Sequence, residues 1–128
     1  MRATQMPGLF IITDPIKGRC VHTGEEINVG DLIEVCPVIV FSEEDLKSIH
    51  NTHLHDYYFL WGAERKEGAI ALGFGSLYNH SDDPNASFEI DLESDKIRFL
   101  CIQKIVPGSE ISISYVDSQF REDVKLWF

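Results

Sequence analysis

Short apolar segments separated by turn residues recur along this chain and predict a mainly β protein. Residues 9–13 (LFIIT) form the first predicted strand, and the turn-like sequence DPIKGR follows them. Residues 31–41 (DLIEVCPVIVF) are almost continuously apolar, but Pro37 in their middle lacks the amide proton that a central strand donates. We therefore expect two short strands, or a bulge, around Pro37.

One helix and one hairpin are predicted in the rest of the chain. Ser42 begins the segment SEEDLKSIH, whose first turn is acidic, as the helix dipole favours. The segments SFEIDL and KIRFLCI flank ESD and predict an antiparallel hairpin, whose first strand alternates Phe88, Ile90 and Leu92. The Pro-Gly turn VPGSE leads into a last alternating strand, ISISY, which ends at Tyr115.

Length and charge narrow the choice of partners. The 128 residues are enough for one core and too few for a second, so we expect a single domain over residues 1–128. The 21 acidic and 11 basic residues give a formal net charge of −10, which repels nucleic acid phosphates and favours a basic protein partner. The alternative is that acidity only keeps a small domain soluble.

Several further classes of protein are disfavoured. Cys20, Cys36 and Cys101 are an odd number at wide spacings, which argues against a disulfide framework and against a CxxC zinc site. The first residues, MRATQMPG, lack the long apolar segment of a signal peptide, and no apolar run elsewhere is long enough to cross a bilayer. We expect a soluble intracellular protein, cytoplasmic or nuclear, without membrane contact, direct nucleic-acid binding or a bound metal.

A loop dense in Asn, His and Asp, YNHSDDPNASF, occupies residues 78–88. Taken alone it is a turn, because Asp83 precedes Pro84 and because Asn and Asp side chains bond their own backbone. The neighbouring motifs change this interpretation. The order YNHSDDPN, hairpin, VPGSEISISY resembles the SET-domain protein lysine methyltransferases, as do the upstream segments PIKGRCVHTGEEINVGDLIEVCPVI and DYYF.

The resemblance covers roughly residues 8–120 and is strongest to the minimal SET proteins of viral type, which share ALGFG, NHS, DPN and ISY. It implies a SET fold of several short-stranded sheets with a C-terminal pseudoknot and little helix. It also implies methyl transfer from S-adenosylmethionine to a lysine of a basic protein, with a histone tail favoured. The alternative is a catalytically inactive SET-like module that binds a basic peptide.

The resemblance assigns roles to individual residues. Tyr115 is the expected catalytic residue, although a tyrosine at a strand end otherwise packs its ring on a core. Ile113 stands where many family members carry Phe or Tyr, and its smaller side chain predicts room for di- or trimethylation. The implied site residues are Tyr115 for catalysis; Lys17, Gly18, Arg19, Cys20, Asn79 and His80 for cofactor binding; and Tyr57, Ile113 and Phe120 for the substrate channel.

Three features leave alternatives open. Cys20 stands where the family usually has a second glycine, and a positive φ there would strain the cofactor turn. The histidines of HNTHLHD have spacings that suit a metal ion, although a solvated loop facing the substrate peptide is the favoured interpretation. Residues 121–128, which end in LWF, either close the lysine channel or form a homodimer contact.

Overall fold

This computed structural model describes residues 5–115 of the chain. Most of it is built from short strands joined by tight turns. The elements are β1 (Leu9–Asp14), β2 (Gly18–Thr23), β3 (Leu32–Phe41), α1 (Glu43–Ile49), β4 (Tyr58–Trp61), β5 (Glu67–Ala71), a 3₁₀ turn (Gly75–Leu77), β6 (Asn79–His80), β7 (Ala86–Asp91), β8 (Lys96–Cys101) and β9 (Ser112–Ile113).

Within residues 5–115 the strands form three sheets. The largest has five antiparallel strands in the order β4-β5-β3-β8-β7. β1 and β2 form a separate antiparallel pair, and β6 pairs with β9 in parallel. The prediction of a mainly β fold with little helix is confirmed, since α1 has only 7 residues. No helix in the described range has the length and apolar character needed to span a membrane.

The expectation of two strands or a bulge at Pro37 was wrong, because β3 runs through Pro37 as one strand. The strand changes partners there: residues up to Pro37 pair with β8, and Val38 and the residues after it pair with β5. The Pro37 carbonyl accepts from the Leu72 amide at 3.0 Å, just past the end of β5. The nitrogen of Pro37 points to this same side and away from β8, so the ladder between β3 and β8 loses no hydrogen bond at Pro37. The register shift in β3 lies instead between Leu32 and Glu34.

Local sequence signals account well for the β7–β8 hairpin and for α1. Phe88 and Ile90 point into the core, whereas Leu92 lies beyond the end of β7 and is 39% exposed. Ser42 caps α1, because its hydroxyl accepts from the Asp45 amide at 3.1 Å. The last predicted strand is shorter than expected, since only two residues of ISISY pair as β9.

The parallel pair of β6 and β9 brings the Asn-His-Ser loop against the last described strand. Asn79 pairs with Ser112 and His80 with Ile113, although more than thirty positions separate them along the chain. Asn85 braces this junction, because its Nδ2 donates to the Glu110 carbonyl at 2.8 Å and its Oδ1 accepts from the Ser112 amide at 2.9 Å. The parallel pairing of these two segments is consistent with the C-terminal pseudoknot expected from the sequence.

Candidate functional site

A cavity of about 420 Å³ opens where β2, the 3₁₀ turn, β6 and the end of the described chain meet. This volume is in the range of pockets that hold small molecules. Its lining combines two cations, a carboxylate, an amide, an imidazole and three hydroxyl groups with one aliphatic side chain. The lining residues are Lys17, Arg19, Asp56, Tyr57, Ser76, Leu77, Asn79, His80 and Tyr115. The cavity therefore collects six of the ten site residues predicted from the sequence.

The turn between β1 and β2 forms one wall. Asp14 Oδ1 accepts from the amides of Ile16 at 2.7 Å and Lys17 at 2.9 Å, and these backbone bonds lower the pKa of the Asp14 carboxyl. Gly18 has a φ of +82°, which favours glycine, although a Cβ there would meet no atom within 4 Å. Cys20 lies in β2 and is not among the described non-glycine residues with positive φ. The backbone strain considered for Cys20 from the sequence is therefore absent, because Gly18 takes the left-handed conformation.

Asn79 is held from β2 and from the segment before β9. Its Nδ2 donates to the Arg19 carbonyl at 3.0 Å and to Glu110 Oε2 at 2.8 Å, and it lies 3.4 Å from the Cys20 sulfur. Cys20 is 2% exposed, and burial raises the pKa of its thiol, as does the charge of Glu110. Cys20 is thus a neutral, buried thiol that packs beneath the Asn79 amide.

Glu110 is a site residue that sequence reasoning missed. Its Oε1 accepts from Lys17 Nζ at 2.8 Å, on the opposite carboxylate oxygen from Asn79. Burial raises the pKa of the Glu110 carboxyl, but hydrogen bonds from Lys17 and Asn79 outweigh burial, so the pKa lies below its usual value. The hydrogen bond to Glu110 raises the pKa of the Lys17 amine. The available signal was the sequence GSEI within VPGSEISISY, in which Glu110 had no assigned role.

Tyr115 is fixed by two hydrogen bonds around β6. Its hydroxyl donates to the Tyr78 carbonyl at 2.9 Å, and its amide donates to His80 Nδ1 at 2.9 Å. Because Nδ1 of His80 accepts, the proton of the neutral ring is on Nε2, which lies 2.9 Å from Asp82 Oδ1. Burial, followed by the charge of Asp56, raises the pKa of Tyr115 to about 12. Tyr115 therefore meets the cavity as a neutral phenol.

Tyr57 and Tyr58 are adjacent in the chain and face opposite sides. Tyr57 lines the cavity, and its hydroxyl lies 3.5 Å from Arg19 Nη1. Tyr58 is 4% exposed, and its hydroxyl lies 2.7 Å from His50 Nδ1. A second, more apolar cavity of about 270 Å³ shares part of the wall of the first. The residues common to both cavities are Arg19, Tyr57, Ser76 and Leu77.

A buried carboxylate supports the segment that separates the two cavities. Glu34 is 2% exposed and accepts from the Tyr78 hydroxyl at 2.7 Å and from the Phe74 amide at 3.0 Å. Gly73 has a φ of +69°, and a Cβ there would collide with the Glu34 carboxylate. Tyr78 in turn presents the carbonyl that accepts from Tyr115. Glu34 was not among the site residues predicted from the sequence.

The remaining predicted site residues lie elsewhere. Gly18 and Cys20, which both belong to β2, support the cavity without lining it. Ile113 is 1% exposed and belongs to the hydrophobic core, and it lines neither cavity described here. Phe120 and residues 121–128 lie outside the described residues. Ile113 and Phe120 as channel residues therefore stay predictions.

The clustered histidines have local partners. His55 Nδ1 lies 2.8 Å from the His50 carbonyl, and the two rings are 4.1 Å apart between centroids. Among residues 5–115 no group of three His, Cys, Asp or Glu side chains is arranged to hold a metal ion. The segment HNTHLHD follows α1 and leads through exposed turns to the cavity wall at Tyr57.

Comparison with known proteins identifies the class to which this fold and site belong. The model of the SET domain family matches residues 18–116, a range that includes β2, Tyr115 and every other residue lining the first cavity except Lys17. The chain therefore belongs to the SET-domain family, whose methyltransferases use S-adenosylmethionine.

A relative from Schizosaccharomyces pombe is 36% identical over 108 residues, which are 84% of this chain and 72% of that protein. Its name is histone-lysine N-methyltransferase, H3 lysine-37 specific.

Two solved structures share the fold. A Plasmodium falciparum protein described as a candidate histone methyltransferase superposes with a TM-score of 0.70 at 29% identity, covering 86% of this chain and 94% of that chain. The Neurospora SET domain protein DIM-5, a histone lysine methyltransferase, superposes with a TM-score of 0.68 over 89% of this chain and 54% of that chain. At 16% identity, this second likeness supports the fold alone.

Proposed function

We propose that this chain transfers a methyl group from S-adenosylmethionine to a lysine side chain of a basic protein, with a histone tail as the favoured substrate. The observation that carries the proposal is the pair of adjoining cavities, one polar and one apolar, with Tyr57 in their common wall and Tyr115 at the polar one. Methyl transfer needs a polar site for the cofactor and an apolar one for the lysine, meeting at one point.

The polar cavity fits the methionine part of S-adenosylmethionine. Lys17 carries a positive charge that suits a carboxylate, and Asn79 uses its amide nitrogen within the protein, which leaves its oxygen as the acceptor for an ammonium group. Gly18, Arg19 and Cys20 supply backbone groups along the same wall, and His80 follows Asn79 in β6. When bound, the cofactor supplies an electrophilic methyl group on a positively charged sulfur.

The apolar cavity suits the aliphatic part of a lysine side chain. Its aliphatic lining residues are Leu54, Ile70, Ala71 and Leu77. A free lysine amine has a pKa of about 10.4 and is charged at neutral pH, so the nucleophile must lose a proton before it reacts. Apolar surroundings and a neighbouring positive charge both lower that pKa.

Tyr115 acts as an orienting group in this proposal. Its hydroxyl proton is donated to the Tyr78 carbonyl, so towards a ligand the oxygen is an acceptor. An acceptor there attracts the amine protons and the polarised C–H bonds of the methyl group, which aligns nucleophile and methyl carbon. A pKa of about 12 keeps Tyr115 protonated, so it is not the base at neutral pH.

The proposal also covers the subfamily, the location, the C-terminal segment and the number of methyl groups transferred. We assign the chain to the minimal SET proteins of viral type, on the strength of ALGFG, NHS, DPN and ISY. The net charge of −10 favours a basic substrate segment. We propose a nuclear location because the favoured substrate is a histone. Residues 121–128, with Phe120, either close the channel or join two copies into a homodimer. Ile113 leaves room for di- or trimethylation, which mass spectrometry of the product tests.

The inactive peptide-binding module loses its main support. That alternative depended on Cys20 straining the cofactor turn, and Gly18 takes the positive φ instead. The direct experiment is transfer of labelled methyl from S-adenosylmethionine onto core histones and, separately, onto a whole-cell extract, followed by mass spectrometry of the labelled residue. Labelled lysine supports the proposal. Binding of the cofactor without any labelled protein would instead select the inactive module.

A further inference from the structure

We propose that Glu110 is a positioning residue that fixes the Asn79 amide, so that the polar cavity selects a ligand carrying an ammonium group. This inference rests on the proposed function, because it names how the cofactor site would recognise one part of S-adenosylmethionine. Glu110 itself does not line the cavity. It acts through Asn79, which does.

The hydrogen bonds of Asn79 determine which of its atoms faces a ligand. An amide nitrogen carries two hydrogens, and Nδ2 of Asn79 donates to the Arg19 carbonyl at 3.0 Å and to Glu110 Oε2 at 2.8 Å. Both donors are thereby used within the protein. The Oδ1 atom is the polar group of Asn79 that remains to meet a ligand, and it can only accept hydrogen bonds.

The opposite amide orientation is excluded by charge. A carboxylate and a backbone carbonyl are both pure acceptors, so a flipped Asn79 would place its Oδ1 against two other oxygens. The pKa of the Glu110 carboxyl lies below its usual value because hydrogen bonds from Lys17 and Asn79 outweigh its burial. The group is therefore charged at neutral pH, and a charged acceptor makes a stronger hydrogen bond than a neutral one.

Lys17 holds the carboxylate in place from the other side. Lys17 Nζ contacts Glu110 Oε1 at 2.8 Å, and the Lys17 side chain is 59% exposed while that of Glu110 is 17% exposed. An ion pair with one exposed partner contributes little to stability. Its effect here is on geometry, because it keeps the second carboxylate oxygen directed at Asn79.

The test measures ligand selectivity by calorimetry at neutral pH. S-adenosylhomocysteine is compared with its desamino analogue, in which a hydrogen replaces the amino group. The variant is Glu110→Gln, which keeps the shape but presents its own amide to Asn79 and Lys17. The matched control is Glu26→Gln, which removes a carboxylate paired with Lys104 at 3.3 Å on the surface.

We expect Glu110→Gln to weaken S-adenosylhomocysteine binding at least about tenfold, which corresponds to about 1.4 kcal/mol. Binding of the desamino analogue should change less than about twofold, because that ligand has no ammonium for Asn79 to accept from. Glu26→Gln should change neither affinity. In steady-state methyl transfer, Glu110→Gln should raise KM for S-adenosylmethionine and leave kcat nearly unchanged.

Two outcomes overturn the inference. If Glu110→Gln weakens both ligands by the same factor, or weakens neither, Glu110 does not act through the Asn79 acceptor. If the wild-type chain binds neither S-adenosylhomocysteine nor S-adenosylmethionine, the proposed function fails and the inference fails with it. If circular dichroism shows that Glu110→Gln is unfolded, Glu110→Asp replaces it in the same binding experiment. Aspartate keeps the negative charge, but its shorter side chain moves the carboxylate away from Asn79.

Discussion

The hydrogen bond between Tyr78 and Glu34 supports the segment between the two cavities, and its removal should lower the free energy of unfolding. Tyr78 is 1% exposed and Glu34 2% exposed, and the hydroxyl donates to the carboxylate at 2.7 Å. Burial, and then the charge of Glu34, raises the pKa of Tyr78, so its hydroxyl keeps its proton. Tyr78→Phe removes that donor and leaves a buried carboxylate oxygen unsatisfied.

The expected loss of unfolding free energy is about 2–3 kcal/mol, since hydrogen bonds to charged groups contribute about 1.5–3 kcal/mol and burial raises the penalty for an unmet partner. Urea unfolding at neutral pH measures this. At an m-value of about 1.5 kcal/mol/M, the midpoint should fall by about 1–2 M.

Tyr58→Phe is the matched control for this prediction. It removes the same hydroxyl from another buried tyrosine, whose partner His50 Nδ1 is 2.7 Å away and belongs to a histidine rather than a carboxylate. We expect a loss of about 0.5–1.5 kcal/mol, because this bond involves no carboxylate. If Tyr78→Phe costs no more than Tyr58→Phe, the charge on Glu34 is not stabilised as described, and its support of the Tyr78 carbonyl has to be rejected.

Two further predictions concern Cys20 in β2 and the ionisation of Tyr115. Cys20→Gly restores the glycine that is usual in the family, yet it should lower the unfolding free energy by about 1–2 kcal/mol, because the Cys20 side chain is buried. It should not tighten cofactor binding, because Cys20 needs no positive φ. Urea unfolding measures the first effect and calorimetry the second, and a gain in cofactor affinity would contradict the prediction. The pKa of Tyr115 is raised to about 12, above its unfolded value, so its contribution to stability is fully present below about pH 10 and is lost as pH rises through about 12. Between those values the unfolding free energy of the wild type should fall more steeply with pH than that of Tyr115→Phe, and parallel curves would show that the pKa is not raised.

Local patterns in the sequence predicted the elements whose partners are close in the chain. The β7–β8 hairpin follows from the alternation at Phe88 and Ile90, and α1 from the cap at Ser42. Pro37 was misjudged because its tolerance depends on where β5 ends, which is a property of the folded sheet. A strand pattern contains no information about which neighbour faces a given residue.

The site was predicted in the same uneven way. Motif order identified Asn79, His80 and Tyr115, and all three line one cavity. Glu110 was missed because its partners Asn79 and Lys17 are 31 and 93 positions away, so their contact exists only in the folded chain. The prediction that Cys20 could strain the backbone was wrong for a related reason. Which residue takes the positive φ depends on the backbone geometry of the folded chain, and here that residue is Gly18.

The most direct test of the central claim compares wild type with Tyr115→Phe in two measurements on the same samples, cofactor binding by calorimetry and methyl transfer to histone lysine. The backbone amide of Tyr115 donates a hydrogen bond to His80 Nδ1, and this bond holds residue 115 at the cavity. The substitution leaves it intact. The account predicts that Tyr115→Phe binds S-adenosylmethionine within a few-fold of wild type and loses at least about 100-fold in kcat, the usual effect of removing one preorganised polar contact. Equal rates in the two proteins would contradict it.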